Sequence, residues 1–239
     1  MNAETTISVG HRPAGKWAFD DGVTACFPDM LRRSVPQYDT MRDTVTRLAK
    51  RFVRDKADVV DLGCSRGDAL AELIPVAPAD VRFVGVETSD PMLAVCRKRF
   101  ADNARVSIQA IDLRREYPDV RAGVTLAVLT LQFIPIEHRR RVIQDVFDST
   151  VPGGAFVVVE KVLGETETLD AVFVDEYLAM KAGHGYSRED IERKRMAMEG
   201  VLVPLEPSWL ARSLLRAGFQ HVDCFWRWMN FGGWIALAP

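Results

Sequence analysis

The chain has 239 residues, of which 48% are hydrophobic and 27% charged, a composition typical of a globular protein that can bury one sizeable core. With 31 basic and 33 acidic residues, it lacks the positive charge that draws nucleic-acid binders to phosphate backbones. Its four cysteines form no C-x-x-C pair, and no stretch approaches the roughly 18 apolar residues of a membrane helix. We therefore expect a cytoplasmic protein without a signal peptide, a metal site, a membrane segment or direct nucleic-acid binding.

The main part of the chain alternates predicted strands with predicted helices. Five short runs rich in β-branched residues predict strands buried on both faces, at residues 57–62, 81–87, 105–111, 125–133 and 154–161. Amphipathic segments between them predict helices at residues 68–74, 91–101 and 137–150. Residues 152–154 are predicted to form the turn before the last of these strands. This alternation predicts an α/β fold with a doubly wound, mostly parallel sheet.

The pattern changes at the two ends of the chain. Residues 1–18 are predicted to be a flexible tail, and residues 19–239 a single domain. A helical insertion at about residues 165–204, with Ser187 as the N-cap of its second helix, is predicted to form a lid. After a helix at residues 208–217, two β runs separated by residues 229–230 predict an antiparallel hairpin. A parallel core that ends in such a hairpin is the layout of class I S-adenosylmethionine (SAM) methyltransferases, a Rossmann-like fold with seven strands.

A glycine-containing segment follows the first predicted strand. Residues 61–67 read DLGCSRG, and small residues at a strand-to-helix turn let the backbone approach a ligand. Glu87 ends the second strand, where an acid typically accepts hydrogen bonds from ribose hydroxyls. Asp112, after the third strand, is placed to bind the adenine amine. These three positions predict a SAM site, and a glycine turn with two solvated acids or an NAD-type site are the alternatives.

Several stretches between Phe19 and the C-terminus resemble the carboxy-S-adenosyl-L-methionine (carboxy-SAM) synthase family. They are FPDMLRRSVPQY at residues 27–38, DLGCS, TLQF, PGGAFVVVEK, HGYS and MNFGG. The first two are distinctive, since generic methyltransferases share only the fold and the first glycine. The resemblance implies an enzyme that converts SAM and prephenate to carboxy-SAM and phenylpyruvate. It also implies a homodimer and a role in modifying the wobble uridine of tRNA.

The resemblance also places the residues that would bind the cofactor. They are Tyr38, Gly63, Cys64, Ser65, Glu87, Thr88, Asp112, Leu113, Val128 and Arg195, and Asp61 is predicted to line the same pocket. The chain departs from the family in two places, the pair Glu87–Thr88 and Val128. Glu87 and Thr88 stand where Asp and Asn are common, and the longer acid can still bind a ribose. Val128 stands where Asn is common, so a side-chain hydrogen bond must be lost or replaced by backbone or water.

Arg195 is predicted to be the catalytic residue on which the specific function depends. A carboxylate added to the transferred methyl group needs a cationic partner, and a bidentate arginine suits it. The alternative is a solvated basic helix face, and Lys194 is expected to point elsewhere on that helix. No general base is assigned, because the hydroxide that leaves prephenate could take the methyl proton. The protein would orient the reactants and exclude water, and Cys64 would serve in packing.

Two other functions remain open at this point. The first is a conventional SAM-dependent methyltransferase acting on a small molecule, which Val128 in place of Asn favours. In that enzyme Arg195 would bind an acidic acceptor. The second is a noncatalytic SAM-binding or assembly protein, for which we expect an empty or tightly closed pocket. The fold alone does not distinguish these functions.

Overall fold

The computed structural model describes residue 13 and residues 15–239, so most of the predicted tail, residues 1–12 and 14, lies outside the described residues. Trp17 does not behave as a tail residue. Its side chain is only 5% exposed, and its backbone amide donates a hydrogen bond of 2.9 Å to the carbonyl oxygen of Ala197. The packed part of the chain therefore begins before the predicted boundary at residue 18.

Within residues 15–239, seven strands form one sheet in the order β3-β2-β1-β4-β5-β7-β6. The strands are β1 (Asp58–Leu62), β2 (Phe83–Glu87), β3 (Val106–Ala110), β4 (Ala122–Val128), β5 (Thr150–Lys161), β6 (His221–Trp228) and β7 (Phe231–Leu237). Strands β1 to β5 run parallel to one another, whereas β7 is antiparallel to both β5 and β6. This topology confirms the predicted class I SAM methyltransferase-like fold with its C-terminal hairpin.

Helices cover both faces of the sheet. They are α1 (Asp21–Ser34), α2 (Tyr38–Lys50), α3 (Asp68–Leu73), α4 (Asp90–Arg99), α5 (Ile136–Ser149), α6 (Glu167–Gly183), α7 (Arg188–Met198) and α8 (Pro207–Ala217). The side chains of β1 alternate between the faces, as the two-residue period of a strand requires. Val60 and Leu62 pack with residues of α5 and α8, and Val59 packs with residues of α2 and α3. Within the described part of the chain, no helix has the length and apolarity to span a bilayer.

Helices α1 and α2 precede the sheet and were not predicted from the sequence. Asp20 caps α1, because its Oδ1 accepts a hydrogen bond of 2.8 Å from the backbone amide of Val23. The next helix places Met41, Val45 and Ala49 in the core beside β1. The two helices bring the distinctive segment at residues 27–38 close to the sheet.

The predicted strand at residues 125–133 is wrong in its second half. β4 ends at Val128, and a short 3-10 helix follows at Leu131–Phe133. The chain leaves the sheet at Leu129, whose φ of 60° is incompatible with a strand. The first two amides of the 3-10 helix donate hydrogen bonds of 2.9 and 2.6 Å to the Glu160 carboxylate. A buried acid on the neighbouring strand thus stabilises the departure of the chain from the sheet.

The predicted turn at residues 152–154 is also wrong, since these residues lie within β5. Gly153 has a φ of 66°, and the register between β4 and β5 shifts between Ala122 and Val124. A glycine tolerates this left-handed conformation at low cost. The residues typical of a turn therefore produce an irregularity inside a strand.

The predicted insertion at residues 165–204 contains α6 and α7. The Ser187 hydroxyl accepts a hydrogen bond of 3.1 Å from the backbone amide of Asp190, which confirms the predicted N-cap of α7. The two helices differ in burial, because Lys181 is the buried residue of α6 whereas α7 buries several residues. Trp17 packs against Ala197, so the start of the described chain is joined to α7.

Candidate active site

A cavity of about 750 Å³ opens at the carboxyl ends of β1, β2 and β4. It lies where the strand order reverses, between β1 and β4, which is where open α/β sheets bind their ligands. Its volume is within the range of small-molecule sites. All the residues predicted to bind the cofactor line it, namely Tyr38, Asp61, Gly63, Cys64, Ser65, Glu87, Thr88, Asp112, Leu113, Val128 and Arg195. The structure therefore brings together every predicted position, although their contacts with a ligand stay predictions.

The glycine turn, residues 61–67, is tightly packed. Gly63 has a φ of 73°, and a Cβ atom added there would lie 2.5 Å from Oγ1 of Thr130. That hydroxyl donates a hydrogen bond of 2.7 Å to the carbonyl oxygen of Leu62, which fixes it in place. The turn is thus a cradle that a side chain would fill, and this fits a ligand such as SAM. Any larger residue at Gly63 would disturb Thr130 as well as the ligand site.

Glu87 stabilises the glycine turn and the chain that follows β2. Its carboxylate accepts hydrogen bonds from the backbone amide of Ser65 at 3.0 Å and from those of Thr88 and Ser89 at 2.8 and 2.9 Å. A carboxylate has about four acceptor sites, so one remains for a ribose hydroxyl. The predicted ribose-binding acid therefore also stabilises the turn that would approach the cofactor.

Asp112 is held by the neighbouring Arg114. The guanidinium donates hydrogen bonds of 2.8 and 2.7 Å to the two carboxylate oxygens. These bonds lower the pKa of Asp112 to about 2, so the group is ionised at neutral pH. An ionised carboxylate can accept a further hydrogen bond, as the predicted contact with the adenine amine requires.

Asp61 is buried at the start of the glycine turn. Burial raises its pKa to about 7, whereas the nearby Arg42 guanidinium opposes this shift. The Arg42 side chain is 12% exposed, and its closest carboxylate contact, to Glu72, is 3.6 Å. Arg42 lines the cavity and was missed from the sequence. Among residues 13 and 15–239, no group of three His, Cys, Asp or Glu side chains is placed to hold a metal ion.

Cys64 has the surroundings of a packing residue. It is 4% exposed, and its Sγ lies 4.0 Å from the Sγ of Cys96. This sulfur contact, together with burial, raises the pKa of the Cys64 thiol. A thiol that stays protonated is a poor nucleophile, which fits the role expected from the sequence.

Val128 places an apolar side chain at the end of β4, where the family commonly has Asn. Two nearby polar side chains of the cavity are already engaged. Thr130 donates to Leu62, and Oε1 of Gln132 accepts a hydrogen bond of 2.7 Å from the backbone amide of Lys161. Arg42, by contrast, carries a buried Nη2 without a hydrogen bond. The same Nη2 lies 3.6 Å from Oε1 of Glu72, so its charge is already shared with an acid.

Arg195 lies at the rim of the cavity and is paired with a neighbour on its own helix. Its Nε and Nη2 atoms donate hydrogen bonds of 2.9 and 2.7 Å to the Glu192 carboxylate, and 63% of its side chain is exposed. To bind a ligand carboxylate, the guanidinium would have to exchange its partner. The structure thus places Arg195 within reach of the cavity without showing it engaged there.

The expectation that Lys194 points away from the site is wrong. Lys194 lines the cavity, is 4% exposed and donates a hydrogen bond of 3.2 Å to the hydroxyl of Tyr186. Lys161 and Lys181 line the same cavity and were also missed. Lysine is usually solvated, so composition offers no reason to place it inside. The spacing of Tyr177 and Lys181, four residues apart on one helix face, is a signal that could have been used.

Comparison with protein families and solved structures agrees with this architecture. Residues 59–154 match a family model described as a methyltransferase domain. An O-methyltransferase family protein from Burkholderia thailandensis superimposes with a TM-score of 0.64 and 22% identity, over 92% of this chain and 60% of that one. A SAM-dependent methyltransferase from Aquifex aeolicus gives a TM-score of 0.58 at 12% identity, over 93% of this chain and 100% of that one. At these identities the structures establish the fold alone.

Curated relatives are similar over nearly their whole length. The carboxy-S-adenosyl-L-methionine synthase of Methylococcus capsulatus is 36% identical, over 92% of this chain and 93% of the relative. The protein of the same name from Glaesserella parasuis is 33% identical, over 99% of this chain and 100% of the relative. The chain belongs to the carboxy-S-adenosyl-L-methionine synthase family, whose members are enzymes built on the methyltransferase fold.

Proposed function

We propose that this protein converts SAM and prephenate to carboxy-SAM and phenylpyruvate. The observation that carries the proposal is that every position taken from the family lines one cavity, from the glycine turn to Arg195 at the rim. Full-length similarity to relatives named carboxy-SAM synthase supports it. The open cavity also argues against a noncatalytic protein with a closed pocket.

The reaction needs little covalent chemistry from the protein. Prephenate becomes aromatic by losing carbon dioxide and its ring hydroxide, which yields phenylpyruvate. The hydroxide takes a proton from the methyl group of the sulfonium and leaves as water, and the methyl carbon then forms a bond to the carbon dioxide. The chain's task is to hold both reactants in contact and to exclude water, which suits a cavity beneath two helices.

The residues of the glycine turn would bind SAM, and Arg195 would bind the new carboxylate. Glu87 keeps one acceptor for the ribose, and Asp112 is ionised next to the adenine position. For Arg195 the proposal requires a change of partner, from Glu192 to the carboxylate of carboxy-SAM. A guanidinium can make this exchange at low cost at the surface, because exposed ion pairs are weak.

A conventional methyltransferase remains the second candidate because Val128 replaces an Asn that is common in the family. The two functions differ in the nucleoside that they produce. Purified protein should release a nucleoside with the mass of SAM plus one carbon dioxide, and added prephenate should increase its yield from SAM. Release of SAM or its demethylated product alone, with no gain from prephenate, would favour the methyltransferase.

The family also suggests the setting in which the product is used. We propose that carboxy-SAM made here supplies the carboxymethyl group for the wobble uridine of tRNA, and that the protein acts as a cytoplasmic homodimer. Leu169 and Val172 lie exposed on α6, at 43% and 51%, and we propose this apolar face for the dimer contact. Deletion of the gene should remove the carboxymethyl group from the wobble uridine, which tests the first point. The second is tested by comparing the sedimentation of the Val172→Glu variant with that of the wild-type protein.

A further inference from the structure

Three lysine ammonium groups converge on two tyrosine rings at the end of the cavity formed by α6 and α7. Lys161 comes from the end of β5, with Nζ 4.5 Å from the ring centroid of Tyr177. Lys181 comes from α6, with Nζ 5.4 and 5.3 Å from the centroids of Tyr177 and Tyr186. Lys194 comes from α7, with Nζ 4.4 Å from the centroid of Tyr186. We call these three residues the lysine cluster.

In the described part of the chain, none of the three charges of the lysine cluster has an acid in ion-pair contact, and the charge of Asp170 favours the charged form of Lys161 alone. Among the residues that the structure describes, none of the three ammonium groups forms an ion pair, and Lys194 alone has a hydrogen bond, to Tyr186. Lys181 and Lys194 are only 7% and 4% exposed. The carboxylate nearest in sequence, Glu160, accepts its hydrogen bonds from the backbone amides of Leu131 and Gln132 instead.

Such an arrangement is costly in a protein without a ligand. Burying a charge without a counter-ion is unfavourable, and three like charges around two rings also repel one another. The contacts with the ring faces offset only part of this cost. Burial and the neighbouring Lys194 and Lys161 lower the pKa of Lys181 to about 8, and burial lowers that of Lys161. A bound anion would remove both penalties. The cluster thus has the electrostatic character of an anion site rather than of a structural core.

We propose that the lysine cluster binds the 2-oxo carboxylate of the co-substrate, an inference that rests on the proposed function. Prephenate carries two carboxylates with different fates. The ring carboxylate must leave as carbon dioxide, so a strong ion pair to it would oppose the reaction. The 2-oxo carboxylate survives in phenylpyruvate. Its two oxygens and the adjacent 2-oxo oxygen match three donors that approach from different elements. Arg195 would bind the new carboxylate of the other product, carboxy-SAM.

This division of roles orients the co-substrate. The anchored 2-oxo acid lies at the lysine cluster, and the ring carboxylate then projects toward the glycine turn, where the sulfonium would be. Phenylpyruvate retains the anchored group and should therefore occupy the cluster as well. It does not react, so its binding can be measured apart from turnover.

Binding of phenylpyruvate to variants saturated with S-adenosylhomocysteine tests the proposal. Lys181→Met and Lys194→Met should each weaken phenylpyruvate binding by about tenfold or more, with S-adenosylhomocysteine affinity unchanged within about twofold. Lys98→Met, at an exposed position of α4 outside the cavity, is the matched control and should change neither. The prephenate KM of each cluster variant should rise in parallel.

Thermal unfolding separates a binding role from a structural role. Replacing a buried unpaired ammonium by an isosteric apolar chain removes a desolvation cost, so Lys181→Met should raise the melting temperature of the ligand-free protein. A fall in melting temperature with unchanged phenylpyruvate affinity would overturn the proposal and make the lysine structural.

The subsite and the proposed function can fail separately. If wild-type protein forms carboxy-SAM but the cluster variants keep the wild-type prephenate KM and phenylpyruvate affinity, the subsite is wrong and the function stands. If wild-type protein forms no carboxy-SAM, yet binds phenylpyruvate in a manner that depends on Lys181 and Lys194, the function is wrong and the subsite stands.

Discussion

The two ends of the cavity are built on opposite electrostatic principles. At the glycine turn the charged groups already have partners, because Glu87 accepts three backbone amides and Asp112 is bound by Arg114. At the lysine cluster the ammonium groups face the cavity, and among the described residues none of them forms an ion pair with an acid. The first end is therefore preorganised by the fold itself, whereas the second gains its counter-charges only when an anion binds.

This difference indicates that the lysine cluster, and not the glycine turn, lowers the stability of the ligand-free protein. A fully partnered group resists substitution because its loss leaves other groups unsatisfied. An unpartnered buried charge costs stability until its ligand arrives. Variants at the glycine turn should therefore lose stability and affinity together, whereas variants of the lysine cluster should separate the two.

Arg195 at the rim should show the largest effect in a direct comparison of ligands. Arg195→Ala should weaken carboxy-SAM binding by roughly tenfold to a hundredfold and leave SAM binding nearly unchanged, because only the former ligand carries the extra carboxylate. Calorimetry with both ligands measures the difference.

Arg188→Ala is the control for Arg195, since Arg188 lies exposed on the same helix and does not line the cavity. Equal losses for SAM and carboxy-SAM would mean that Arg195 binds a group common to both, such as the methionine carboxylate. The methyltransferase alternative would then gain support.

Glu87 tests the preorganised end. Glu87→Gln should weaken SAM binding by about tenfold and lower the melting temperature, because an amide cannot accept from all three backbone amides and brings its own donors toward them. Glu137→Gln, at an exposed position of α5, serves as the control. Unchanged SAM affinity would remove Glu87 from the cofactor site. This variant is more informative than a larger residue at Gly63, which would collide with Thr130.

The pH dependence tests the lysine cluster without mutation. Lys181 is charged below its pKa of about 8 and loses the charge as pH rises through that value. The groups that face it are Lys161 from β5, Lys194 from α7, and the rings of Tyr177 and Tyr186, with Arg33 of α1 over the Tyr186 ring. None of these groups is a carboxylate, and the charge of Asp170 acts on Lys161.

We therefore expect kcat/KM for prephenate to fall above about pH 8, by at most about tenfold per pH unit for one proton. The Lys181→Met variant should have a lower kcat/KM for prephenate at neutral pH and should not show this fall above pH 8. The KM for SAM should not change over the same pH range. A wild-type profile that is flat to pH 9.5, roughly a unit and a half beyond the Lys181 pKa, would contradict the role of its charge.

The N-cap of α7 should give the smallest effect. Ser187→Ala removes the acceptor for the Asp190 amide and should lower the free energy of unfolding by about 1 kcal/mol. Ser187→Asn keeps a capping oxygen and should retain most of that stability. Urea unfolding of the two variants measures the difference, and equal losses would show that the cap itself contributes little.

Local sequence patterns predicted the sheet well because they report buried β-branched runs. They failed where a distant partner decides the conformation. The end of β4 depends on Glu160, which binds the amides after Val128 from a neighbouring strand. Helices α1 and α2 were not predicted, although Met41, Val45 and Ala49 lie at helical spacing on the buried face of α2, and α1 carries Pro28, a residue that disfavours a helix interior.

The site divides in the same way. Positions fixed by strand ends, such as Gly63, Glu87 and Asp112, follow from topology and could be predicted. Lys194 and Lys161 could not, because their burial depends on how α6, α7 and β5 pack together. A lysine in a charged helix segment is normally solvated, and the sequence of α7 contains no feature that distinguishes Lys194 from its exposed neighbours.

The most direct test of the central claim follows one carbon atom. Wild-type protein should be incubated with SAM and prephenate that carries a heavy-carbon label in its ring carboxylate, and the nucleoside product analysed by mass spectrometry. We predict carboxy-SAM that contains the label in its new carboxylate, together with unlabelled phenylpyruvate in equal amount. Carboxy-SAM without the label, or no carboxy-SAM at high enzyme concentration, would contradict the account.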